Sequence, residues 1–264
     1  MDIFLFKLIL TFIVGGIWVN LGIVLAERYG TKIGGVIIGL PSTVAVTLFF
    51  IGWTQSVLFA SQSTTIIPII MGVSGLFVVI YILLAKRGFL LAIISALMFW
   101  LLFSLILVKI NFNNLLYSII GLIILMFISY FILETKSKVK SEGKQLIKYT
   151  AWQLAFRSIL GGSIMVLGVF LAKVGGPLIG GAFAAFPAMF LSTIIISHFS
   201  HGKNFSAAIM KTMVVSGSVN ISAYAIAVRY FYPMFGLILG TIFSFLVSFV
   251  TGYLVYQFVN KKMI

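Results

Sequence analysis

The sequence GGVIIGLPSTVAVTL, residues 34–48, recurs at residues 180–194 as GGAFAAFPAMFLSTI. Both stretches run from a Gly-Gly pair through an apolar segment to a proline, and both have a threonine six residues after that proline. Proline inside a helix removes one backbone hydrogen bond and clashes with the preceding turn. The two stretches therefore predict apolar helices that are broken at equivalent places, near Pro41 and near Pro187.

The similarity extends beyond these stretches and predicts an internal repeat. Residues 15–56 align without a gap with residues 161–202, and twelve of the 42 pairs are identical, most of them glycine or proline. Chance matches between apolar helices would instead be Leu, Ile and Val. The match resumes between residues 73–75 and residues 215–217, so that each predicted unit covers four helices.

The composition is that of an integral membrane protein. Hydrophobic residues make up 62% of the 264 residues, charged residues only 8%, and the mean hydropathy is +1.23. A soluble domain cannot bury that much apolar surface, whereas a bilayer accepts about 20 apolar residues per crossing. Lipid excludes open strand edges, so an all-α polytopic fold is predicted. Nine transmembrane helices are expected, at about residues 5–26, 33–54, 66–85, 88–108, 114–133, 150–172, 176–198, 207–228 and 233–258.

The basic residues predict the orientation of the chain. Most of the 18 Lys and Arg residues fall on one side of the nine-helix arrangement, including the five lysines of the polar stretch 134–148. The positive-inside rule then predicts a multi-pass protein of the plasma (inner) membrane, with the N-terminus outside and the C-terminus in the cytoplasm. The net charge of +14 is explained by topology and predicts no binding of nucleic acid.

The predicted organisation is two four-helix repeats, residues 1–110 and 149–264, separated by residues 111–148, which hold a joining helix and a basic cytoplasmic linker. One unpaired helix between the units places them in opposite orientations, as a 4+1+4 inverted-repeat bundle. In transporters, inverted repeats exchange conformations around one site. Two alternatives stay open, namely a duplication kept only because the copies bury each other, and parallel repeats with a fortuitous lysine pattern.

Broken helices at equivalent places in two halves are a sequence pointer to a transport site, because the freed backbone groups must be packed or line a wet cavity. The eighth helix adds polar residues at a spacing of four, which form one stripe on a helix face. The predicted substrate-binding residues are Pro41, Ser42, Thr43, Thr47, Pro187, Ser192, Thr193, Ser216, Asn220 and Tyr224. The alternative is that glycines and polar residues serve only close helix packing.

The charged residues within and beside the spans limit the chemistry. The only acidic residues lie at predicted helix ends or in loops, and they are Asp2, Glu27, Glu134 and Glu142. A proton-coupled cation exporter usually needs a carboxylate at mid-membrane, so a neutral or anionic solute is favoured. Arg157 and Lys211 lie inside predicted spans, where they could attract an anion or extend to the lipid headgroups, and the second interpretation is favoured.

No metal, cofactor or enzymatic activity is predicted. His198 and His201 lie three residues apart, but two histidines without a nearby carboxylate or cysteine are a weak metal site. The chain has no cysteine, and it contains no metalloprotease, hydrolase or phosphate-loop motif.

The second unit resembles the GlpM-like family of small, four-helix bacterial inner-membrane proteins. The resemblance rests on residues 179–191, IGGAFAAFPAMFL, and more weakly on the stretch from Ala208 to Tyr224. The first unit departs from the pattern, because Leu40-Pro41 stands where the family has Phe-Pro. The resemblance implies a membrane protein of similar fold, made of two fused units, in a family associated with exopolysaccharide production. It implies no substrate.

Taken together, these observations predict a secondary transporter or permease for a small neutral or anionic solute or a lipid-linked molecule. The alternative is a non-transporting integral membrane subunit or scaffold in envelope biogenesis. The predicted partners are the lipid bilayer and an unidentified small solute, and a homo-oligomer is compatible with the sequence.

Overall fold

The computed structural model describes residues 2–26, 40–136 and 149–262, and all regular structure within them is helical. This confirms the predicted all-helical class. Most of the predicted basic linker and the glycines at 30, 34 and 35 lie outside the described residues. The first half contains α1 (Ile3–Ala26), α2 (Ser42–Thr54), α3 (Val57–Ser63), α4 (Ile67–Leu84), α5 (Phe89–Lys109) and α6 (Leu115–Phe131).

Two short turns complete the first half. A 3-10 turn, Thr64–Ile66, joins α3 to α4, and a five-residue π-helical turn, Ile132–Lys136, extends α6.

The second half contains four helices, α7 (Ala151–Gly175), α8 (Pro177–Ala184), α9 (Ala188–His201) and α10 (Lys203–Lys262). Gly176 and Gly202 connect them with φ of 89° and 86°, values that favour glycine, so the turns between these helices are tight.

The described helices have the lengths and the apolar character of membrane spans. Seven helical segments among the described residues are long and apolar enough to cross a bilayer: Ile3–Leu21, Val57–Leu84, Phe89–Lys109, Leu115–Thr135, Ala151–Gly175, Pro177–His201 and Lys203–Gln257. The last has 55 residues, far more than the roughly 20 that one crossing needs. Ser42–Thr54 is a shorter apolar helix that begins directly after Pro41.

The last segment differs from the two separate helices predicted at 207–228 and 233–258. The helix continues through Pro233 and reverses only at Gly236, where φ is 74° and ψ is −175°. We refer to residues 203–235 as α10a and to residues 237–262 as α10b. Proline cannot donate to the carbonyl four residues earlier, that of Arg229, and Ser61 Oγ donates to this carbonyl instead at 2.8 Å. The helix tolerates Pro233 because another helix supplies the missing donor.

The centre of the fold is formed by the broken helices and their neighbours. Most residues of 57–84, 177–201 and 205–228 are buried, whereas fewer than half are buried in Ile3–Leu21, Phe89–Lys109, Leu115–Thr135 and Ala151–Gly175, as expected where helices face lipid. Ser61 was predicted to lie in a loop, but it is buried within α3. Its polar neighbours are satisfied by the helix itself, since Ser63 and Thr64 donate to the carbonyls of Phe59 and Ser61.

The two equivalent helices α1 and α7 form the most extensive helix pair in the described residues and run antiparallel. As residue numbers rise along α1, the numbers of the contacted residues fall along α7. The contacts are Phe4 with Lys173, Gly15 with Met165, Gly16 with Ser158, and Asn20 with Leu154.

These contacts are also reciprocal. Gly15 faces Met165, and the residues equivalent to these two, Gly161 and Val19, face each other, with the Val19 Cγ2 3.0 Å from where a Cβ on Gly161 would lie. Gly16 faces Ser158 in the same way that its equivalent Gly162 faces Phe12. Such exchange of partners is the signature of a local two-fold axis. The equivalent glycines at 15, 16, 161 and 162 therefore all lie at the contact between α1 and α7.

Candidate functional site between the two helix breaks

The two equivalent prolines have the same backbone conformation. Pro41 has φ −75° and ψ 54°, and Pro187 has φ −76° and ψ 46°. At each proline, the amide after it donates to the carbonyl before it at 2.7 Å, which closes an inverse γ-turn. A new helix then begins, α2 after Pro41 and α9 after Pro187. The predicted break of the helix at 176–198 is confirmed, since it consists of α8 and α9, whereas residues 27–39, before the first proline, lie outside the described residues.

The two breaks meet around one small cavity. Leu40 and Thr43 line it from the first break, and Phe186, Pro187 and Met189 line it from the second. Residues of α4 and α10a complete the wall. The cavity has a volume of about 20 Å³, room for about one water molecule. Its wall is mostly apolar, with the hydroxyls of Thr43 and Ser74 as polar exceptions.

Asn220, in α10a, lies beside Gly252 of α10b, close to Leu40, which lines this cavity. A Cβ placed on Gly252 would lie 3.5 Å from both the Asn220 Nδ2 and the Leu40 Cδ2, so these three residues meet. Asn220 is fully buried, and neither atom of its amide has a hydrogen-bond partner among the described residues. An unpaired buried amide is unfavourable by about 1–3 kcal/mol, so its presence here requires an explanation other than packing.

The other predicted site residues fall into two groups. Ser42 Oγ is buried without a hydrogen-bond partner in the described part of the chain, whereas the Tyr224 hydroxyl lies beside the hydroxyls of Tyr232 and Thr241. By contrast, Thr47 donates to the Thr43 carbonyl at 2.8 Å and Ser192 to the Met189 carbonyl at 3.2 Å. Ser216 is buried in α10a and has interactions of its own. Whether any of these residues binds a solute stays a prediction.

The Thr193 hydroxyl accepts a hydrogen bond from the Arg157 Nη2 at 3.0 Å. The sequence interpretation predicted the position of Arg157 wrongly. Arg157 is 1% exposed and Lys211 is 3% exposed, so neither extends to the lipid headgroups and the preferred interpretation of both was wrong. One signal was available for Arg157, which lies four residues before Gly161 on the face of α7 that carries the small residues Gly161, Gly168 and Ala172. That spacing places it in the interior.

The two histidines, for which no metal is predicted, make different contacts. His198 Nδ1 lies 2.8 Å from the Tyr81 hydroxyl, which also donates to Ser206 Oγ at 3.2 Å, whereas the His201 ring stacks on Phe205. The two histidines therefore belong to different contacts at the end of α9.

One family model matches the chain twice, over residues 8–113 and over residues 154–261, and its description is "Protein of unknown function (DUF3147)". The chain belongs to the DUF3147 family. The two matched regions are the two halves that the repeat relates, so the DUF3147 unit is present in two copies. The resemblance to the GlpM-like family is not tested by this match and stays a prediction. No curated protein and no solved structure matches the chain.

Proposed function

We propose that this chain is a secondary transporter for a small neutral or anionic solute, built from two inverted four-span units joined by a ninth span. The observation that carries the proposal is the convergence of two equivalent proline turns, each followed by a new helix, on one small cavity. Broken helices bring free backbone groups to mid-membrane, which lipid tolerates only inside the protein or beside water. In inverted-repeat transporters the site lies at such breaks.

The antiparallel, reciprocal contact of α1 with α7 supports the inverted arrangement. A two-fold axis that relates antiparallel spans lies in the membrane plane, so exchanging the conformations of the two units would exchange the side to which their shared cavity opens. The unpaired Asn220 amide supports a polar ligand. A lipid-linked molecule remains a second solute class for the same site, since the proposal does not depend on the size of the solute outside the cavity.

The first experiment tests the inverted insertion. Ser56 and Asn204 are exposed and lie at the ends of equivalent helices, and the chain has no native cysteine. We expect a membrane-impermeant thiol reagent added to intact cells to label the Ser56→Cys protein and to spare the Asn204→Cys protein until the membrane is opened. If both are labelled, or neither is, the units are not inverted and the transporter proposal loses its main support.

The second experiment tests transport without knowledge of the solute. Thr43 and Met189 line the cavity from opposite breaks, and each is buried. In right-side-out and inside-out vesicles, a transporter predicts slow reaction of the Thr43→Cys and Met189→Cys proteins from both sides, as the cavity opens to each in turn. The Val78→Cys protein, with its cysteine fully buried on α4, is the unreactive control. If the two lining cysteines also stay unreactive from both sides, the chain is better described as a non-transporting subunit or scaffold.

A further inference from the structure

Arg157 is a fully buried cation that the cavity described above does not include. It lies in α7, one and a half turns after the helix begins at Ala151, and it is 1% exposed. An arginine side chain keeps its charge in the protein interior, because its guanidinium is not deprotonated at physiological pH. Arg157 therefore brings a full positive charge into a part of the fold that is predicted to lie within the membrane.

Within the residues that the structure describes, Arg157 has no counterion. Nη2 donates to the Thr193 hydroxyl at 3.0 Å, and the Tyr149 ring lies with its centre 5.0 Å from Cζ. The atoms Nε and Nη1, with three N–H groups between them, have no hydrogen-bond partner in the described residues, and no carboxylate there forms an ion pair with Arg157. Lys211 is treated differently, since it pairs with Glu134 at 2.5 Å.

The fold itself does not require an arginine at this position. The equivalent residue in the first half is Thr11, which is also fully buried and satisfies its hydroxyl on the Lys7 carbonyl at 2.8 Å. A buried charge without a partner is strongly unfavourable, and apolar or self-satisfied replacements of such charges are often neutral or stabilising. The second half thus carries an unfavourable group that its counterpart avoids.

We propose that Arg157 and Thr193 form a binding site for an oxyanion, the carboxylate or phosphate group of a ligand. The guanidinium supplies planar, charge-assisted donors that suit such groups, and the Thr193 hydroxyl supplies one more. Thr193 lies one turn of α9 beyond Met189, which lines the cavity between the breaks. The inference rests on the proposed function in one respect, because it identifies the transported solute as an anion. The site itself is tested by binding alone.

The test is the thermal stability of the purified protein with and without anions. A ligand that binds only the folded state at about 100 times its Kd raises the Tm of a protein of this size by about 5–10 °C. We expect inorganic phosphate or succinate to raise the Tm of the native protein, and chloride, a single atom without the paired oxygens that match a guanidinium group, to leave it unchanged. The Arg157→Gln protein should lose the shift. The matched control is Arg229→Gln, because Arg229 is half-buried and already donates to Ser61 and Thr65.

A second arm separates the two sources of the anion. The native protein and the Arg157→Gln protein are placed in nanodiscs of phosphatidylglycerol or of phosphatidylcholine. An Arg157-dependent rise of Tm in phosphatidylglycerol alone assigns the site to a lipid headgroup, whereas a rise with phosphate or succinate assigns it to a free solute, and either supports the site. If no probe shifts the Tm, or if Arg157→Gln responds like the native protein, the proposal is wrong.

The unliganded stability of Arg157→Met guards against a purely structural role. If Arg157 is kept for a ligand, removing its unpaired charge leaves the Tm unchanged or raises it. A Tm far below that of the native protein would show that the arginine holds α7 to α9, which overturns the proposal. If anions bind but the cavity cysteines never react, the chain has an anion site and the transport proposal fails. If the cavity cysteines react but no anion binds, the transport proposal stands and the anion site is wrong.

Discussion

The two halves of the chain share their backbone devices and differ in their chemistry. Pro41 and Pro187 adopt the same turn to within about ten degrees. The equivalent glycines of α1 and α7 each contact a residue of the other helix, and these contacts are reciprocal. The polar groups have no such symmetry. The position equivalent to Arg157 is occupied by Thr11, and the position equivalent to Asn220 is occupied by Val78. A duplicated fold can keep its architecture in both copies while only one copy carries the groups that meet a ligand.

The strongest test of this asymmetry is to copy the arginine into the first half. Thr11→Arg buries an unpaired charge at a position that is fully buried, which is unfavourable by about 3 kcal/mol or more in a membrane span. We expect little folded protein in the membrane, measured by size-exclusion chromatography in mild detergent. Thr11→Val, which removes one hydrogen bond, is the control and should accumulate normally. Native levels of Thr11→Arg would mean that the first half has its own anion site.

The next test compares equivalent glycines at the contact of α1 with α7. A Cβ on Gly162 would lie 2.8 Å from the Phe12 carbonyl oxygen, which is backbone, whereas a Cβ on Gly16 would lie 3.2 Å from the Ser158 Cβ. Gly162→Ala must move a helix and should lower the free energy of unfolding by about 1–3 kcal/mol. Gly16→Ala should change it by less than about 1 kcal/mol, since the strain is smaller and alanine favours the helix. Equal losses in a denaturant titration would contradict the difference.

A third test asks whether the two breaks act as one device. Replacing either proline with alanine restores a backbone donor and favours a continuous helix. In the Met189→Cys background, Pro41→Ala and Pro187→Ala should each slow thiol labelling by about 3- to 10-fold, the effect of roughly 1 kcal/mol on an opening equilibrium. Pro68→Ala, at the first turn of α4 where proline is well tolerated, is the control. A slower rate in only one of the two variants would show that the breaks act independently.

The smallest expected effect concerns two asparagines. Asn220→Leu removes a buried amide without partners and should leave the free energy of unfolding within about 1 kcal/mol of the native value. Asn20→Leu removes donors to Ser158 at 2.7 Å and to the Leu154 carbonyl at 3.3 Å, so it should lose about 1 kcal/mol. Thermal unfolding of both variants distinguishes them. A larger loss for Asn220→Leu would mean that its amide holds the fold.

The sequence predicted the features that follow from local backbone chemistry. Proline and glycine act within one turn, so the break at Pro187 and the repeat itself could be found without a structure. The predicted loops were less accurate, because local sequence does not reveal a hydrogen-bond partner on another helix. The stretch around Pro233 was interpreted as a turn, but Ser61 supplies the donor that the proline removes, and the polar stretch 61–65 lies inside the protein because its hydroxyls bond to the backbone and to Arg229.

Features that depend on contacts between distant helices were not predictable. The burial of Arg157 results from α9 packing over it, and the cavity requires the two breaks to meet, which no spacing within one helix encodes. The pairing of Lys211 with Glu134 likewise joins α10a to the turn after α6. Asn220 was recognised as a candidate from its helix face, but its lack of partners could be established only from the structure.

The reciprocal pairing of α1 with α7 has a consequence for a single unit made alone. Each first helix packs its glycines against the first helix of the other unit. A four-helix fragment made alone would therefore expose this glycine-containing helix face, because its partner helix belongs to the other unit. Its natural complement is another molecule of the same fragment lying head to tail. A half-length relative would then need its copies to enter the membrane both ways up, whereas fusion through one extra span guarantees one of each in every molecule.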